Sequence, residues 1–148
     1  MNATRSFLGD PTNWKDVQVH LSALEAVRGG WQVFVSSDGT AVIRRVSPTR
    51  REQRYKILVG EDELLTLFSA CLDQDLLAIP KPARPGHPEE TLIEITLVNQ
   101  RGEFRKVSKW AGDAHPAFDS VLRQLFSLTT RVQEVVPFYT GPFQGPVG

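Results

Sequence analysis

The sequence of 148 residues contains a single cysteine, Cys71, and only three histidines. One cysteine excludes a disulfide within the chain, and without a Cys-x-x-Cys pair the usual ligand spacing of a structural zinc site is missing. His20, His87 and His115 are far apart, and none of them is close in sequence to a second His or Cys. We therefore expect no metal site and a reducing environment.

Long apolar runs and catalytic signatures are also missing. No stretch approaches the ~18 apolar residues typical of a membrane-spanning helix, and residues 1–14 lack the basic and apolar segments of a signal peptide. The sequence has no Gly-rich nucleotide loop, no Gly-x-Ser-x-Gly elbow and no His-Glu-x-x-His. These absences favour a cytoplasmic protein that is not an enzyme, needs no cofactor and has no membrane partner.

Neither positive nor negative charge is in excess, because 17 Lys and Arg balance 17 Asp and Glu. The distribution is uneven, however: residues 1–60 hold 9 basic against 5 acidic residues, and residues 61–148 hold 8 against 12. Zero net charge argues against a protein built to coat nucleic acid. The two oppositely charged halves can attract each other within one domain.

The apolar pattern changes its period three times along the chain. Alternating residues predict strands before residue 60, helical spacing follows Gly60, alternation returns at Leu92, and helical spacing returns after His115-Pro116. Ser37-Asp38-Gly39-Thr40 lies between two apolar runs and predicts a hairpin turn. The predicted elements are four strands between residues 17 and 59, a helix over 61–77, strands over 92–98 and 104–110, and a helix from residue 115.

Short turns between consecutive strands predict a mainly antiparallel sheet, and two amphipathic helices can cover one of its faces. The predicted fold class is therefore α+β, in the order β-β-β-β-α-β-β-α. The length fits a single domain over residues 1–148. We divide it into a loose N-terminal arm over 1–14, a core over 17–132 and a tail rich in Pro, Gly and aromatic residues over 137–148.

Four segments together resemble a loose group of small, uncharacterised bacterial domains. They are Asp38-Gly39-Thr40 between two strands, the helix opening Glu61-Asp62-Glu63-Leu64, the strand Glu90-Thr91-Leu92-Ile93-Glu94-Ile95 and the closing helix. The resemblance spans about residues 17–130 and rests on the order of the elements. It implies the α+β architecture and a bacterial source, and it implies no activity and no site residue.

A basic cluster is the most unusual feature of the sequence. Six basic residues fall within 13 positions, with only Glu52 opposing them: Arg44, Arg45, Arg50, Arg51, Arg54 and Lys56. On a strand hairpin, part of the cluster can form a patch that binds an anion or an acidic protein. The alternative, which we favour, is an edge hairpin whose charges prevent aggregation.

Aromatic residues mark both ends of the chain. The tail carries Phe138, Tyr139 and Phe143 among prolines and glycines, a composition typical of a docking peptide. It can equally fold back over its own domain, and the sequence does not separate the two. Trp14 in the arm is likewise open to packing on the sheet or to contact with a partner.

Asp113 and His115 form the one candidate for acid–base chemistry, since a carboxylate two residues away can orient an imidazole. We favour a structural alternative in which one of them caps the helix that begins at Pro116. Cys71 lies on the apolar stripe of the first helix and is predicted to be a buried structural residue.

We therefore expect a non-enzymatic binding or protein-interaction domain. Its candidate binding residues are Arg44, Arg45, Arg50, Arg51 and Arg54 in the hairpin, with Phe138, Tyr139 and Phe143 in the tail. The expected partner is another protein or a second copy of the chain. Two alternatives stay open: a small enzyme using Asp113 and His115, and a weak nucleic-acid or anion binder through residues 44–56.

Overall fold

The computed structural model describes residues 17–25, 28–71, 76, 79, 82–86, 90–99 and 101–144. The predicted arm over 1–14, Trp14, His87 and tail residues 145–148 lie outside the described residues. The described strands are β1 (Gln18–Glu25), β2 (Gly29–Ser36), β3 (Thr40–Val46), β4 (Arg51–Leu58), β5 (Leu92–Val98), β6 (Phe104–Trp110) and β7 (Tyr139–Pro142). The helices are α1 (Glu61–Cys71) and α2 (Pro116–Thr129), and a 3₁₀ turn over Thr130–Glu134 follows α2.

All seven strands belong to one antiparallel sheet in the spatial order β6-β5-β1-β2-β3-β4-β7. The first four strands form a meander. α1 then carries the chain across to β5 on the far side of β1, and α2 brings it back from β6 to β7 beside β4. This double crossing puts two segments next to each other that are far apart in sequence, namely the arginine-rich hairpin and the tail.

The core lies between the sheet and the two helices, as the apolar periodicity predicts. Alternate strand residues such as Val19, Val33, Ile43 and Ile95 are fully buried on one sheet face, where the inner stripes of α1 and α2 join them in one cluster. Burying a side chain of this size contributes roughly 1.5–3 kcal/mol. The α+β class with both helices on one face is therefore confirmed.

A second, smaller group of buried side chains lies on the opposite face of the sheet. It follows from the same alternation, because every strand residue between two core residues points the other way. Its members are Gln32, Arg44, Val46 and Glu52, each no more than 4% exposed. A buried arginine and a buried glutamate on the face without helices are what distinguish this sheet from an ordinary half-solvated one.

The structure differs from the predicted elements in the tail. β7 is a strand, whereas the sequence suggested only a tail, because four residues with Gly141 and Pro142 show no periodicity. α1 is described continuously to Cys71, with Leu76 also helical; the rest of the predicted stretch to residue 77 lies outside the described residues. Within the described part of the chain, no helix has the length and apolar character needed to cross a membrane.

Two glycines hold tight turns at the ends of strand pairs. Gly29 and Gly102 have positive φ angles of 76° and 80°, a region that residues with a Cβ atom avoid. Around Gly102 there is open space, but a Cβ atom on Gly29 would lie 2.2 Å from the carbonyl oxygen of Val46. Gly29 thus allows the end of β2 to approach the end of β3.

Substitution of these two glycines distinguishes the cost of backbone strain from the cost of a steric clash. Gly102→Ala should lower the free energy of unfolding by about 1–2 kcal/mol, the cost of a left-handed conformation for an L-residue. Gly29→Ala should lose about 1–3 kcal/mol more, because the new methyl group overpacks the hairpin. Urea unfolding of both variants measures the difference, and equal losses would contradict the close contact at Val46.

Candidate functional site

The buried group on the open face is built around an ion pair between Arg44 on β3 and Glu52 on β4. Two parallel hydrogen bonds join them: Arg44 Nε donates to Glu52 Oε1 at 3.0 Å and Arg44 Nη2 donates to Glu52 Oε2 at 2.7 Å. Both side chains are about 1% exposed. This bidentate geometry is the strongest form of an arginine–carboxylate contact.

Further donors and acceptors complete the ion pair. Gln32 Oε1 accepts a hydrogen bond from Arg44 Nη1 at 2.9 Å, and the Arg54 guanidinium contacts Glu52 Oε1. From the tail, the backbone N–H of Gln144 donates to Glu52 Oε2 at 2.9 Å, and the Gln144 side chain accepts from Arg54 Nη2. The carboxylate therefore has four donors, one of which comes from a residue 92 positions away.

These contacts decide the protonation state of Glu52. Burial alone would raise the pKa of Glu52, but the hydrogen bonds from Arg44, Arg54 and the N–H of Gln144 outweigh it and lower the pKa from 4.5 to about 2. Glu52 is consequently ionised at any physiological pH. A carboxylate in this state serves as a fixed negative charge and not as a general acid.

The tail lies along the outer edge of β4 as a seventh strand. Phe138 N–H donates to the carbonyl of Arg54, and Phe143 N–H donates to the carbonyl of Arg50, both at 2.9 Å. The Phe143 ring lies 5.0 Å from Arg44 Cζ, and the Tyr139 ring lies 4.9 Å from Arg54 Cζ. Cation–π contacts at these distances are each worth about 0.5–2 kcal/mol.

Gly141, between Tyr139 and Phe143 on the same side of the strand, leaves room for the Tyr139 side chain because it has no Cβ atom. It faces Glu52 in the β4–β7 register, and Tyr139 folds across it so that the Tyr139 hydroxyl donates to the carbonyl of Pro142 at 2.9 Å. A Cβ atom on Gly141 would lie 2.8 Å from the Tyr139 hydroxyl oxygen. We call the side chains of Gln32, Arg44, Glu52 and Arg54, with the outer edge of β4, the tail site.

The structure brings some of the sequence-predicted binding residues together at the tail site, in a different arrangement from a free patch. Arg44 is buried, Arg54 holds Glu52, and Arg50 lies 5.7 Å from the Phe143 ring. Arg45 lies on the other face, 5.6 Å from the Trp31 ring, while Arg51 and Phe138 are exposed. The hairpin and the tail, which we treated as two separate contact elements, contact each other.

Three residues of this contact were not among the predicted ones: Gln32 and Glu52 in the tail site, and Gln144 in the tail. Glu52 had a signal in the sequence, because it is the one acidic residue in a strongly basic hairpin and lies one strand period from Arg54. Gln32 had none beyond strand alternation. Gln144 contributes through its backbone, which no side-chain pattern can reveal.

Asp113, the first member of the predicted acid–base pair, is bonded to an arginine. Asp113 Oδ1 accepts a hydrogen bond from Arg84 Nη2 at 2.9 Å, and the same guanidinium binds both carboxylate oxygens of Glu90. The Trp110 ring lies 5.9 Å from Arg84 Cζ, and Trp110 Nε1 donates to the carbonyl of Arg84. These contacts hold residues 82–86, which include two prolines, against the end of β6, so Asp113 has a structural role.

His115 occupies the N-cap position of α2, as the capping interpretation placed it, but its side chain makes no capping hydrogen bond. Its backbone N–H donates to Asp119 Oδ2 at 3.2 Å, and Asp119 Oδ1 lies 2.8 Å from Lys109 Nζ. Burial opposes the charge on Asp119, but Lys109 and the His115 N–H lower its pKa. Asp119 thus supplies the helix-start carboxylate that the sequence assigned to Asp113.

No family model and no curated protein matches this chain. Among the described residues, no group of three or more His, Cys, Asp or Glu side chains is arranged to hold a metal ion.

Away from the tail site, a pocket of about 440 Å³ lies on the open sheet face, over β1, β2, β5 and β6. His20 at its floor packs edge-on against Phe34, with ring centroids 4.9 Å apart, and contacts Gln18 at 2.8 Å. Burial lowers the pKa of His20, which favours the neutral imidazole. The remaining walls are mixed in character and include Ser22, Glu94, Thr96, Phe104 and Lys106.

Glu52→Gln should destabilise the protein by about 3–5 kcal/mol, because it leaves the buried Arg44 charge without its partner. The folded pKa lies below the unfolded value, so the contribution of Glu52 is complete above pH 4.5 and is lost as the pH falls toward 2. The difference in the free energy of unfolding between variant and wild type, measured by urea unfolding, should therefore shrink as the pH falls from 4.5 toward 2. Glu134→Gln, at an exposed carboxylate, is the control and should change stability by less than about 0.5 kcal/mol.

Cys71 is fully buried, and its burial raises the pKa of the thiol to about 12. Since the thiolate is the reactive form, a thiol reagent at pH 8 should modify the folded protein at least roughly a hundredfold more slowly than the unfolded protein in urea. Ser69→Cys in a Cys71→Ala background, at an exposed position of the same helix, should react rapidly. Fast labelling of native Cys71 would show that α1 opens readily.

Proposed function

We propose that this chain is a non-enzymatic protein-interaction domain that binds an extended aromatic segment as an added strand on β4. The observation that carries the proposal is the way residues 139–144 occupy the tail site. They act as the site's own ligand. A bacterial source, which the resemblance suggests, and a cytoplasmic location, which agrees with one buried thiol, belong to the same proposal.

In strand addition, affinity and specificity come from different contacts, and the tail site provides both kinds. Backbone hydrogen bonds to β4 provide affinity without regard to sequence. Specificity comes from alternate side chains: an aromatic ring on Arg54, a residue without a Cβ opposite Glu52, and a second aromatic ring on Arg44. The preferred segment therefore has the sequence aromatic-x-Gly-x-aromatic. The residue that follows it has a backbone N–H that can donate to Glu52.

The same contacts support binding over catalysis. Glu52 is held ionised by its donors, and Arg44 and Arg54 are committed to it. A fixed ion pair beneath a strand edge orients a ligand and supplies no group that changes protonation near neutral pH. Nucleic-acid binding through the hairpin would rely on the exposed Arg45, Arg50, Arg51 and Lys56 alone, because Arg44 is buried and Arg54 is paired.

A labelled, amidated peptide spanning residues 137–144 tests the proposal on the full-length protein. In the wild type the resident tail competes at an effective concentration of about 1 mM, so the peptide should bind weakly. Tyr139→Ala with Phe143→Ala weakens the resident tail, and the peptide should bind this variant at least tenfold more tightly by fluorescence anisotropy. The wild-type circular dichroism spectrum should be retained.

Two controls sharpen this measurement. The same peptide carrying Gly141→Ala should lose most of its binding, because the added methyl group meets the tyrosine ring. Phe104→Ala, which removes an exposed aromatic residue from β6 at the opposite edge, should leave peptide binding at the wild-type level. Equal binding of peptide by wild type and by the tail-weakened variant would overturn the proposal.

A further inference from the structure

The link between the 3₁₀ turn and β7 has the features of an exchange hinge. It consists of only four residues, 135–138, between Glu134 and Tyr139. Val135 has extended backbone angles of −118° and 135°, and Pro137 fixes its own φ in a similar region. A short, extended link with a proline favours projection of the following strand away from its own domain, a common route to exchange between identical chains.

Exposed apolar side chains concentrate around this hinge. Among the described residues, Val136 is 86% exposed, Phe138 is 59% exposed, and Leu58 near the end of β4 is 71% exposed. Leu58 lines the same surface depression as Val135, so it lies beside the hinge. Val136 and Phe138 lie within the hinge itself, and two exposed large apolar residues in so short a link can become buried in another assembly state.

We propose that two copies of this chain exchange their C-terminal strands, so that residues 139–144 of each copy occupy the tail site of the other. This inference rests on the proposed function, since it requires the tail site to accept a strand in trans. The partner is a second copy because its tail already carries the matching sequence. Tyr139, Phe143 and the N–H of Gln144 make the same contacts in both forms.

The strand contacts are identical in the monomer and in the exchanged dimer. The hinge residues therefore decide the equilibrium between these two forms. In a symmetric exchange the two hinges run past each other near the twofold axis, since each must cross to the other copy. That crossing brings Val136 and Phe138 of one copy next to their counterparts. Burial of these side chains opposes the entropy lost on association.

Paired single cysteines test the exchange, because they form a disulfide only between copies. Gln53 and Thr140 lie directly opposite each other in the β4–β7 register, within the usual reach of a disulfide. We would mix Gln53→Cys with Thr140→Cys, each in full-length protein carrying Cys71→Ala, at about 1 mM, the concentration a short tether supplies. Mild oxidation should yield a covalent heterodimer on non-reducing electrophoresis.

Matched variants make each outcome decisive. Gln53→Cys mixed with Ser127→Cys, an exposed position on α2, should give no covalent dimer; if it does, the association is non-specific and the inference fails. Val136→Ser with Phe138→Ser should reduce the dimer yield severalfold, and an unchanged yield would overturn the role of the hinge. If the peptide binds the tail-weakened variant but no heterodimer forms, the tail site stands and exchange is wrong; if neither occurs, both proposals fail.

Discussion

A buried carboxylate is stable only when protein donors replace the water it has lost, and Glu52 obtains those donors from three separate parts of the chain. Arg44 comes from β3, Arg54 from its own strand, and the N–H of Gln144 from the tail. The neighbouring strand β2 adds Gln32 as an acceptor for Arg44. The buried side chains on the open face are therefore arranged around one negative charge. The backbone N–H of the tail replaces part of the water that this charge has lost.

The two faces of the sheet obey different physical rules. On the helical face, apolar burial is tolerant of shape and direction, so many side chains of similar volume can serve. On the open face, Arg44 and Glu52 require a particular partner at a particular angle, because an unpaired buried charge is costly. The first face holds the domain together, and the second fixes the position of the β4 edge against which β7 pairs.

How much the sequence could predict depended on whether a signal was periodic. Period two in residues 92–98 and helical spacing after Gly60 identified the elements and the core face, because burial imposes those periods directly. The tail site was found only in part: the arginines and aromatic residues were identified, but not that they meet, since contacts over some 90 residues leave no local pattern. Asp113 drew attention by its position, while the capping carboxylate was Asp119, one turn into the helix.

The order of the strands has a consequence for biosynthesis. Glu52 and Arg44 are made early, yet the N–H that completes their surroundings belongs to a residue 92 positions later. At a synthesis rate of about 5–20 residues per second, roughly 5–20 s pass before Gln144 is made. Until Gln144 is made, β7 cannot complete its pairing with β4, so the outer edge of β4 stays open to pairing with another chain.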